Sequence, residues 1–386
     1  MDRLKVENFG QIRNADVCFG DLTILIGPQA SGKSLFLELF KLIEDKNYVV
    51  ETLQRYNYIL PKDNAVPILD NYFGEGLHLL FNEETKIVRS DIAFSVGDLL
   101  KHRNNNQYVK ETVFYVPAQR ILGISDGRPK NFMEFDSSAP FVLKNFSETL
   151  RVFIQGGLGN PNIIFPIRAR LKGTVKESFD QSVFHGAKVV IDQSSGQRKM
   201  KLSVDGISFP FMTWSAGQKE FMPLLLAMYF LSGPPTSVIN KENYKWVIIE
   251  EPEMGLHPRA IESVILETIE LLQAGYKVII STHSPTLLEF VWVFNMLKNI
   301  SENDLKQALC ELFGIKNESS TERVFNNLKE KSMNTFFFHS ESGNRVISKD
   351  ISSLDVGSED LLMAEWGGLS AFSGKAAEVV SKYYRE

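Results

Sequence analysis

The chain has 386 residues, of which 44% are hydrophobic and 23% are charged, and its formal net charge is −5. This length allows a full core with two or three sub-domains. The net negative charge argues against a protein that coats nucleic acid through bulk charge, although it does not exclude local basic patches. No segment approaches the roughly 20 apolar residues of a membrane span, and residues 1–7 are charged rather than signal-like. The two distant cysteines, Cys18 and Cys310, predict reduced thiols and a cytoplasmic protein.

The first predicted elements lead into a glycine-rich turn. Residues 4–9 and 12–19 alternate like two strands of a meander, and an apolar strand over 22–26 runs directly into the sequence GPQASGKS at 27–34. This is the pattern G-x-x-x-x-G-K-S of a phosphate-binding loop, or P-loop, and a helix is predicted to follow it over 34–44. Glycine lets the backbone wrap round phosphates, and the N–H groups and dipole of the helix favour an anion. The alternative is a glycine turn that only caps a helix.

This turn predicts a site for ATP and Mg²⁺. Lys33 is expected to reach the β- and γ-phosphates, and the Ser34 hydroxyl is expected to bind the metal ion. The predicted phosphate-binding residues are Gly27, Pro28, Gln29, Ala30, Ser31, Gly32, Lys33, Ser34 and Leu35.

The middle of the chain is less regular than its start. Residues 46–110 are predicted as an insertion, with helical patches at 48–58 and 66–81 and a hairpin at 86–96, before a buried strand at 112–117. The later predicted elements are a helix at 141–155, a strand-rich segment at 173–211 with a strand at 183–192, a helix at 216–231, a strand at 246–249, a helix at 258–274, a strand at 277–281, a helix at 285–299 and a strand at 335–339. No segment sustains the heptads of a coiled coil.

Two buried strands end in polar residues that suit nucleotide hydrolysis. The strand at 246–249 is followed by two adjacent carboxylates, Glu250 and Glu251. Beside a P-loop strand, the first acid would hold Mg²⁺ directly or through water, and the second would orient the attacking water. His283 follows the next strand, where α/β sheets bind ligands, which favours a sensor of the γ-phosphate. The alternatives are an edge strand that enters a solvated acidic loop and a structural histidine.

A second anion site is predicted at the start of the helix over 216–231. Ser215 or Thr213 would cap this helix, and its free N-terminus favours an anion. One nucleotide does not need two such sites from one chain. The simplest arrangement is therefore a head-to-tail dimer in which the Ser215 loop of each copy closes the P-loop of the other. An ordinary capped helix is the alternative.

The order of these motifs resembles the ABC-type ATPase head of the SMC, RecF and OLD-like branch. The motifs are the P-loop, VPAQR at 116–120, SAGQ at 215–218, IEEPEMGLHP at 249–258 and STH at 281–283. The resemblance covers residues 1–45 and 110–290. It implies an α/β P-loop NTPase with a mixed central sheet, an antiparallel β lobe, helical insertions and no long coiled coil.

The resemblance also implies roles for particular residues. Gln119 would be the Q-loop residue that couples Mg²⁺ to conformational change, and residues 215–218 would be the signature loop that acts in trans. The predicted catalytic residues are Lys33, Glu251 and His283; the predicted metal ligands are Ser34, Gln119 and Glu250; and Gln119, Ser215, Gly217 and Gln218 complete the predicted nucleotide site.

Three positions depart from the family pattern. Glu250 stands where aspartate is usual, so the metal geometry is expected to differ and turnover to be slow. Ala216 replaces a common glycine of the signature. His257 stands where SMC heads often carry an aspartate, and its Leu-His-Pro setting looks more OLD-like.

We predict four segments: an N-terminal ATPase lobe (1–45), an insertion (46–110), the remainder of the head (111–290) and a C-terminal α/β extension (291–386). The extension lacks the Asp-x-Asp pair that a TOPRIM nuclease domain would need, so no nuclease is expected within it. The predicted partners are a second copy of the chain and an effector on another chain, with no membrane partner.

The predicted function is ATP-dependent dimerisation, with hydrolysis, that gates this effector. Stand-alone heads of this kind resemble ATPase subunits of bacterial anti-phage defence modules, Septu-like or PARIS-like, which work beside a nuclease or toxin. The alternative is a RecF-like ATP-dependent clamp on DNA in repair. Its candidate basic contacts are Lys101, His102, Arg103, Arg168, Arg170, Lys172, Arg198, Lys199 and Lys201. The inserted strands and the Glu-Pro-Glu-x-Gly-Leu-His-Pro sequence argue against a transporter subunit.

Overall fold

A ten-stranded mixed sheet is the centre of the fold, in a computed structural model that describes residues 2–101, 109–158, 162–167, 170–194, 196–235, 241–316, 323–341 and 345–383. The strands are β1 (Arg3–Phe9), β2 (Ile12–Cys18), β3 (Leu22–Ile26), β4 (Lys86–Arg89), β5 (Ile92–Phe94), β6 (Val113–Val116), β7 (Ile124–Ser125), β8 (Arg128–Pro129), β9 (Ile163–Phe165), β10 (Lys188–Asp192), β11 (Lys199–Val204), β12 (Ile207–Pro210), β13 (Trp246–Glu250), β14 (Lys277–Thr282), β15 (Met333–Ser340) and β16 (Val346–Asp350). The α-helices are α1 (Lys33–Glu44), α2 (Lys46–Arg55), α3 (Val66–Phe73), α4 (Phe141–Val152), α5 (Gly173–Phe179), α6 (Ala216–Ser232), α7 (Pro258–Gln273), α8 (Pro285–Leu297), α9 (Glu302–Leu312), α10 (Leu361–Ala364) and α11 (Ala371–Tyr383).

The sheet joins a parallel half to an antiparallel half. Its order is β5-β4-β1-β2-β16-β15-β3-β14-β13-β6. The strands β15, β3, β14, β13 and β6 run parallel to one another, whereas β5, β4, β1 and β2 form the predicted antiparallel lobe. A separate four-stranded antiparallel sheet has the order β12-β11-β10-β9. The longest described α-helix, α6, has 17 residues, so the described part of the chain contains no long coiled coil. The predicted fold class is confirmed.

Apolar side chains cover both faces of the parallel half. In β3, Ile24 and Ile26 belong to the hydrophobic cluster on one face, and Leu25 belongs to the cluster on the other. The same alternation places Ile249 and Ile248 of β13 on opposite faces. Strands buried on both faces have near-continuous apolar sequences, which explains why these strands were readable from sequence.

The carboxyl ends of three neighbouring parallel strands lie at one edge of the sheet. Ile26 of β3 pairs with Thr282 of β14, and Glu250 of β13 pairs with Ser281 of β14. The P-loop, the acid pair and His283 each follow one of these strand ends. Ligands of α/β sheets bind at this edge, so the topology brings the predicted site together.

The C-terminal region contributes two strands to the same sheet. The strand β15 lies between β3 and β16, and its predicted core, 335–339, falls within it. Residues of the predicted extension therefore neighbour the P-loop strand directly. Within the described residues, no helix is both long and apolar enough to cross a membrane.

Two stretches of predicted secondary structure are wrong. The segment at 173–211 begins as helix α5 rather than as strand, and the predicted strand at 183–192 is a strand only from Lys188. Val175, Phe179 and Val183 are all buried at helical spacing, which explains the helix. The helical patch at 66–81 is likewise interrupted, because α3 ends before Gly74, whose φ of 125° is outside the helical range.

Candidate nucleotide-binding site

The P-loop connects β3 to α1 by a path that requires glycine. Gly27 has a φ of 152°, and a Cβ placed there would lie 2.2 Å from the carbonyl oxygen of Phe338 on β15. Gly32 has a φ of 79° and immediately precedes α1. The first glycine is therefore required by close packing on the C-terminal strand, and the second by the backbone turn into the helix.

The ammonium group of Lys33 is held at the centre of the loop. Its Nζ donates to the carbonyl oxygens of Gly27 at 2.8 Å and Pro28 at 3.0 Å, and to Ser31 Oγ at 3.3 Å. Burial lowers the pKa of Lys33, and the carboxylates of Glu251, Glu250 and Glu253 oppose that shift. The nearby acids favour the charged form that a phosphate would need.

One cleft contains the predicted P-loop, the predicted base and the histidine predicted to sense the γ-phosphate. It is lined by Gln11, Gln29, Ala30, Ser31, Gly32, Lys33, Ser34, Leu35, Glu251 and His283. Within it, His283 Nε2 lies 3.4 Å from Lys33 Nζ and 3.6 Å from Glu251 Oε1. Lys33, Glu251 and His283, the three predicted catalytic residues, therefore surround one space. Gln11 is a lining residue that sequence reasoning missed; its side chain donates to the carbonyl oxygen of Ala30.

Glu250 lies behind Ser34 in a buried position. Its Oε2 accepts from the backbone N–H of Ala118 at 3.2 Å, whereas its Oε1 makes no hydrogen bond of normal geometry with the described residues. Burial raises the pKa of Glu250, and the nearby hydroxyls of Ser34 and Tyr115 and the N–H of Ala118 oppose this shift.

This pair of oxygen groups fits Mg²⁺. The ion prefers hard oxygen ligands and takes only one or two from protein when nucleotide phosphates supply others. The Ser34 hydroxyl and the unpaired Oε1 of Glu250 match that requirement. Among the described residues, no group of three or more His, Cys, Asp or Glu side chains could hold a metal by itself. Gln119, the third predicted ligand, is exposed and next to Ala118.

The backbone of Glu251 is strained, and Glu253 joins the segment after β13 to the end of β14 by hydrogen bonds. Glu251 has a φ of 42°, and its N–H donates to the carbonyl oxygen of Ser281 at 2.8 Å. Glu253 Oε1 accepts from Thr282 Oγ1 at 2.8 Å and from the N–H of His283 at 2.6 Å. Sequence reasoning assigned no role to Glu253, although the second acid of Glu-Pro-Glu was its signal.

Arg120 is a second residue that sequence reasoning missed. It is completely buried, and burial lowers the pKa of its guanidinium while the surrounding glutamates oppose this. Its Nε donates to the carbonyl oxygen of Glu220 at 3.1 Å, and one terminal nitrogen donates to the carbonyl oxygens of Glu250 at 3.1 Å and Glu251 at 3.2 Å. A charged residue four positions after the end of an apolar strand was the available signal.

The signature loop forms the start of α6, as predicted. Ser215 Oγ accepts from the N–H of Gln218 at 3.3 Å, and Gln218 Oε1 accepts from the N–H of Ser215 at 3.3 Å, which is a capping box. Ser215 is exposed, and Gly217 packs so closely on Gly255 that a Cβ at Gly217 would lie 2.5 Å from the Gly255 oxygen. None of residues 215–218 lines the described P-loop cleft of their own chain.

His257, which departs from the SMC pattern, is a helix cap. Its Nδ1 accepts from the N–H of Arg259 at 3.4 Å at the start of α7. The imidazole therefore caps the start of α7, a role that the aspartate of SMC heads could also fill.

Most described basic residues of the alternative DNA surface interact within the chain. The contacts are Lys101 with Asp98, Arg170 with the Pro234 carbonyl oxygen, Lys172 with Glu270, Arg198 with the Gln155 carbonyl oxygen, Lys199 with Asp126 and Lys201 with Asp192. His102, Arg103 and Arg168 lie outside the described residues.

Two family models of ATPases match the chain, one over its N-terminal part and the other over its central and later part. One, described as "AAA ATPase domain", matches residues 1–155, and the other, described as "AAA domain, putative AbiEii toxin, Type IV TA system", matches residues 168–289. The first match contains the P-loop and Gln119. The second contains the predicted signature loop, Glu250, Glu251 and His283.

One similar curated protein is the Old nuclease of Escherichia phage P2. It is 36% identical to this chain over 72 residues, which make up 19% of this chain and 12% of the nuclease. The match thus spans about an eighth of that relative.

Two similar solved structures are SMC heads. One is bound to the C-winged helix domain of ScpA, with a TM-score of 0.39, 10% identity and coverage of 90% of this chain and 96% of that one. The other, from Thermotoga maritima, has a TM-score of 0.32, 12% identity and coverage of 75% of this chain and 90% of that one.

Proposed function

We propose that this chain is an ABC-type ATPase head of the SMC and OLD-like branch, and that it binds ATP with Mg²⁺ and hydrolyses it in a site shared by two copies. The observation that carries the proposal is the cleft in which His283 Nε2 lies 3.4 Å from Lys33 Nζ and 3.6 Å from Glu251 Oε1. A cation, a carboxylate and an imidazole around one glycine-rich loop are the groups that phosphoryl transfer to water requires.

The position of each residue in the cleft indicates its proposed role in ATP hydrolysis. The loop N–H groups and Lys33 bind the β- and γ-phosphates, for which Lys33 exchanges its present carbonyl partners. Ser34 and Glu250 would hold Mg²⁺, which would supply positive charge to offset that of the phosphates. Glu251 orients the attacking water and takes its proton as the bond from the γ-phosphorus to the bridging oxygen of ADP breaks. His283 donates to a γ-phosphate oxygen, and Gln119 is the third residue that would hold the metal ion.

A second copy supplies the missing wall of the cleft. Ser215 is exposed at a helix N-terminus, which favours an anion, yet it is not among the residues that line the cleft of its own chain. A head-to-tail pair would place each Ser215, Gly217 and Gln218 over the nucleotide of the other copy. ATP then joins the two copies, and hydrolysis releases them.

The output of this cycle is proposed to be control of an effector on a separate chain. No catalytic cluster beyond the ATP cleft stands out in the described residues, so the nucleotide cycle would time an assembly. The name of the similar phage nuclease and the toxin named by one family model support an effector of nuclease or toxin type in anti-phage defence. The two cysteines, Cys18 and Cys310, which lie far apart in the sequence, and the need for ATP favour the cytoplasm.

The alternative is a RecF-like clamp on DNA, and it has weaker support. Its described candidate cations are largely engaged within the chain, which reduces their capacity to replace counterions on DNA. Duplex binding that falls steeply with salt would favour the clamp. ATP-dependent co-purification with another protein in the absence of DNA would favour effector control.

The direct test of the proposed function is the variant Glu251→Gln. It keeps the size of the side chain but removes the base, so ATP should bind and remain intact. In size-exclusion chromatography with light scattering, we expect ATP to shift the variant from 43.7 kDa to about twice that mass.

Glu289→Gln, an exposed acid on α8, is the matched control and should hydrolyse ATP like the wild type. Hydrolysis by Glu251→Gln at the wild-type rate would place the base elsewhere. A monomer that keeps intact ATP bound would refute the shared site.

A further inference from the structure

We propose that Arg120 is a positioning residue that couples the signature helix to the catalytic base of the same chain. This inference rests on the proposed function, because it assigns Glu251 and Ser215 the roles given above. It adds a regulatory connection that acts within one subunit.

The guanidinium of Arg120 contacts backbone rather than carboxylates. It is completely buried, and its four hydrogen bonds of 3.1–3.3 Å all go to main-chain carbonyl oxygens, namely those of Glu220, Glu250 and Glu251. A buried guanidinium is costly unless its donors are used. Because four of its five N–H donors are used on these three carbonyl oxygens, the guanidinium position depends on where that backbone lies.

Those carbonyls belong to two different segments of the site. Glu250 and Glu251 end β13 and carry the metal-binding and base side chains, whereas Glu220 lies in the second turn of α6, whose first turn is the signature. Arg120 itself follows β6 through the predicted Q-loop. One side chain therefore joins three segments: the Q-loop, the end of β13 with Glu250 and Glu251, and the signature helix α6.

The connection acts on the strained point of the site. Glu251 has a φ of 42°, a conformation that is unfavourable for a non-glycine residue. Two of the Arg120 hydrogen bonds, at 3.2 and 3.3 Å, go to the Glu251 carbonyl oxygen. They favour this peptide orientation, and thereby the direction in which the Glu251 side chain leaves the backbone.

A second contact couples the same two segments. Gly217 of the signature packs against the carbonyl of Gly255, four residues after Glu251, and even a methyl group at Gly217 would lie 2.5 Å from that oxygen. A shift of the α6 N-terminus would therefore push the loop over 251–255 as well as the Arg120 bonds. When Ser215 engages the nucleotide of the partner copy, the base of its own subunit is reoriented, so each site responds to the state of the other.

The test compares Arg120→Lys with a matched control. Lysine keeps the charge but cannot reach three carbonyls in a fork. Arg170→Lys is the control, because Arg170 is also buried and donates to a backbone carbonyl, that of Pro234, away from the cleft. We expect Arg120→Lys to bind ATP and dimerise like the wild type but to hydrolyse ATP at least about tenfold more slowly, with KM unchanged.

Hydrogen exchange without nucleotide gives an independent readout. In Arg120→Lys, exchange should rise together in the loop over 251–256 and in the first turns of α6, and Arg170→Lys should leave both unchanged. If Arg120→Lys fails to fold, Gly217→Ala perturbs the same coupling through the Gly255 contact, and without nucleotide it should raise exchange in the same two segments together.

The outcomes separate this inference from the proposed function. Wild-type turnover by Arg120→Lys, an equal loss in Arg170→Lys, or faster exchange in only one of the two segments would overturn the coupling. A wild-type protein that neither hydrolyses ATP nor dimerises with it would instead refute the proposed function, and the exchange experiment would still decide whether Arg120 joins the two segments.

Discussion

Lys33 donates to loop carbonyls that ATP would have to replace. Its bonds to the carbonyl oxygens of Gly27 and Pro28, at 2.8 and 3.0 Å, hold the ammonium at the centre of the loop. The phosphates would take over these bonds, and charge-assisted bonds to phosphate are stronger than those to neutral carbonyls. The loop is therefore organised for an anion before one arrives.

Glu267 on α7 predicts a pH dependence of stability that is independent of the nucleotide. Burial, opposed by the hydrogen bond from Ser232 and the charge of Lys172 and aided by Glu270, raises the pKa of Glu267 from 4.5 to about 8. Between those values the unfolded chain carries an ionised Glu267 and the folded chain a protonated one, so the folded state binds more protons. Stability from this group is complete below pH 4.5 and is lost as pH rises toward 8.

Glu267→Gln should remove that pH dependence, because the amide is neutral and still accepts from Ser232. From denaturant unfolding at pH 5 and pH 8, we expect the free energy of unfolding of the wild type to fall by about 1–3 kcal/mol more than that of the variant. Glu289→Gln, an exposed acid, should retain the wild-type slope. Equal slopes for Glu267→Gln and the wild type would show that Glu267 is ionised in the folded protein.

At the residue scale, sequence reasoning found the groups with a recognisable spacing. Lys33, Glu251 and His283 follow strands or a glycine turn, and these local patterns place them at one sheet edge. Arg120 and Glu253 were missed because their function lies in contacts with backbone that is distant in sequence. Arg120, for example, reaches the carbonyl of Glu220, 100 positions away.

At the scale of elements, the P-loop depends on the C-terminal strand β15. The strand pairs with β3 along its length, and its Phe338 packs on Phe36 of α1 and contacts Gly27 through its carbonyl. The helix α11 differs, because its described side chains after Ala371 are exposed. The two elements should therefore contribute very differently to stability.

Two truncations test this difference. Removal of residues 333–386 should leave a chain that is insoluble or unfolded, because β3 loses its partner strand and its apolar edge is exposed. Removal of residues 371–386 should leave the melting temperature within about 2 °C of the wild type and nucleotide binding intact. The measurements are circular dichroism on heating and titration with a fluorescent ATP analogue. A shorter chain, ending at 332, that folds and binds the analogue would contradict the role of β15.

Most single elements were predictable, but their neighbours in the sheet were not. Apolar runs such as 246–249 and 277–281 identified the buried parallel strands. The insertion of β15 beside β3 depends on pairing between residues about 300 positions apart, for which no local pattern exists. The segment over 173–184 was misread because its apolar residues suit a strand by type, whereas their spacing over Val175, Phe179 and Val183 is helical.

At the scale of the whole molecule, one chain contains both halves of the proposed site, but on different surfaces. The cleft is lined by the P-loop, Glu251 and His283, and the signature loop begins α6 elsewhere. Arg120 connects the two halves within the chain. ATP would then connect them between chains, which makes assembly and hydrolysis depend on each other.

This arrangement predicts complementation between two inactive variants. Lys33→Ala should lose ATP binding but keep its signature loop, and Ser215→Arg should bind ATP but fail to close on a partner. A mixed dimer would contain one intact site, built from the P-loop of the Ser215→Arg chain and the signature of the Lys33→Ala chain. A chain with both substitutions is the control, because neither of its halves can complete a site.

The most direct test of the shared site is therefore the ATPase rate of Lys33→Ala and Ser215→Arg, measured alone and mixed in equal amounts. We predict that each variant alone is inactive and that the mixture recovers up to about half of the wild-type rate, since one of two sites is intact. The double variant mixed with either single variant should restore no activity. A mixture of the two single variants that stays inactive, or Ser215→Arg that hydrolyses ATP alone at the wild-type rate, would contradict a site shared between two copies.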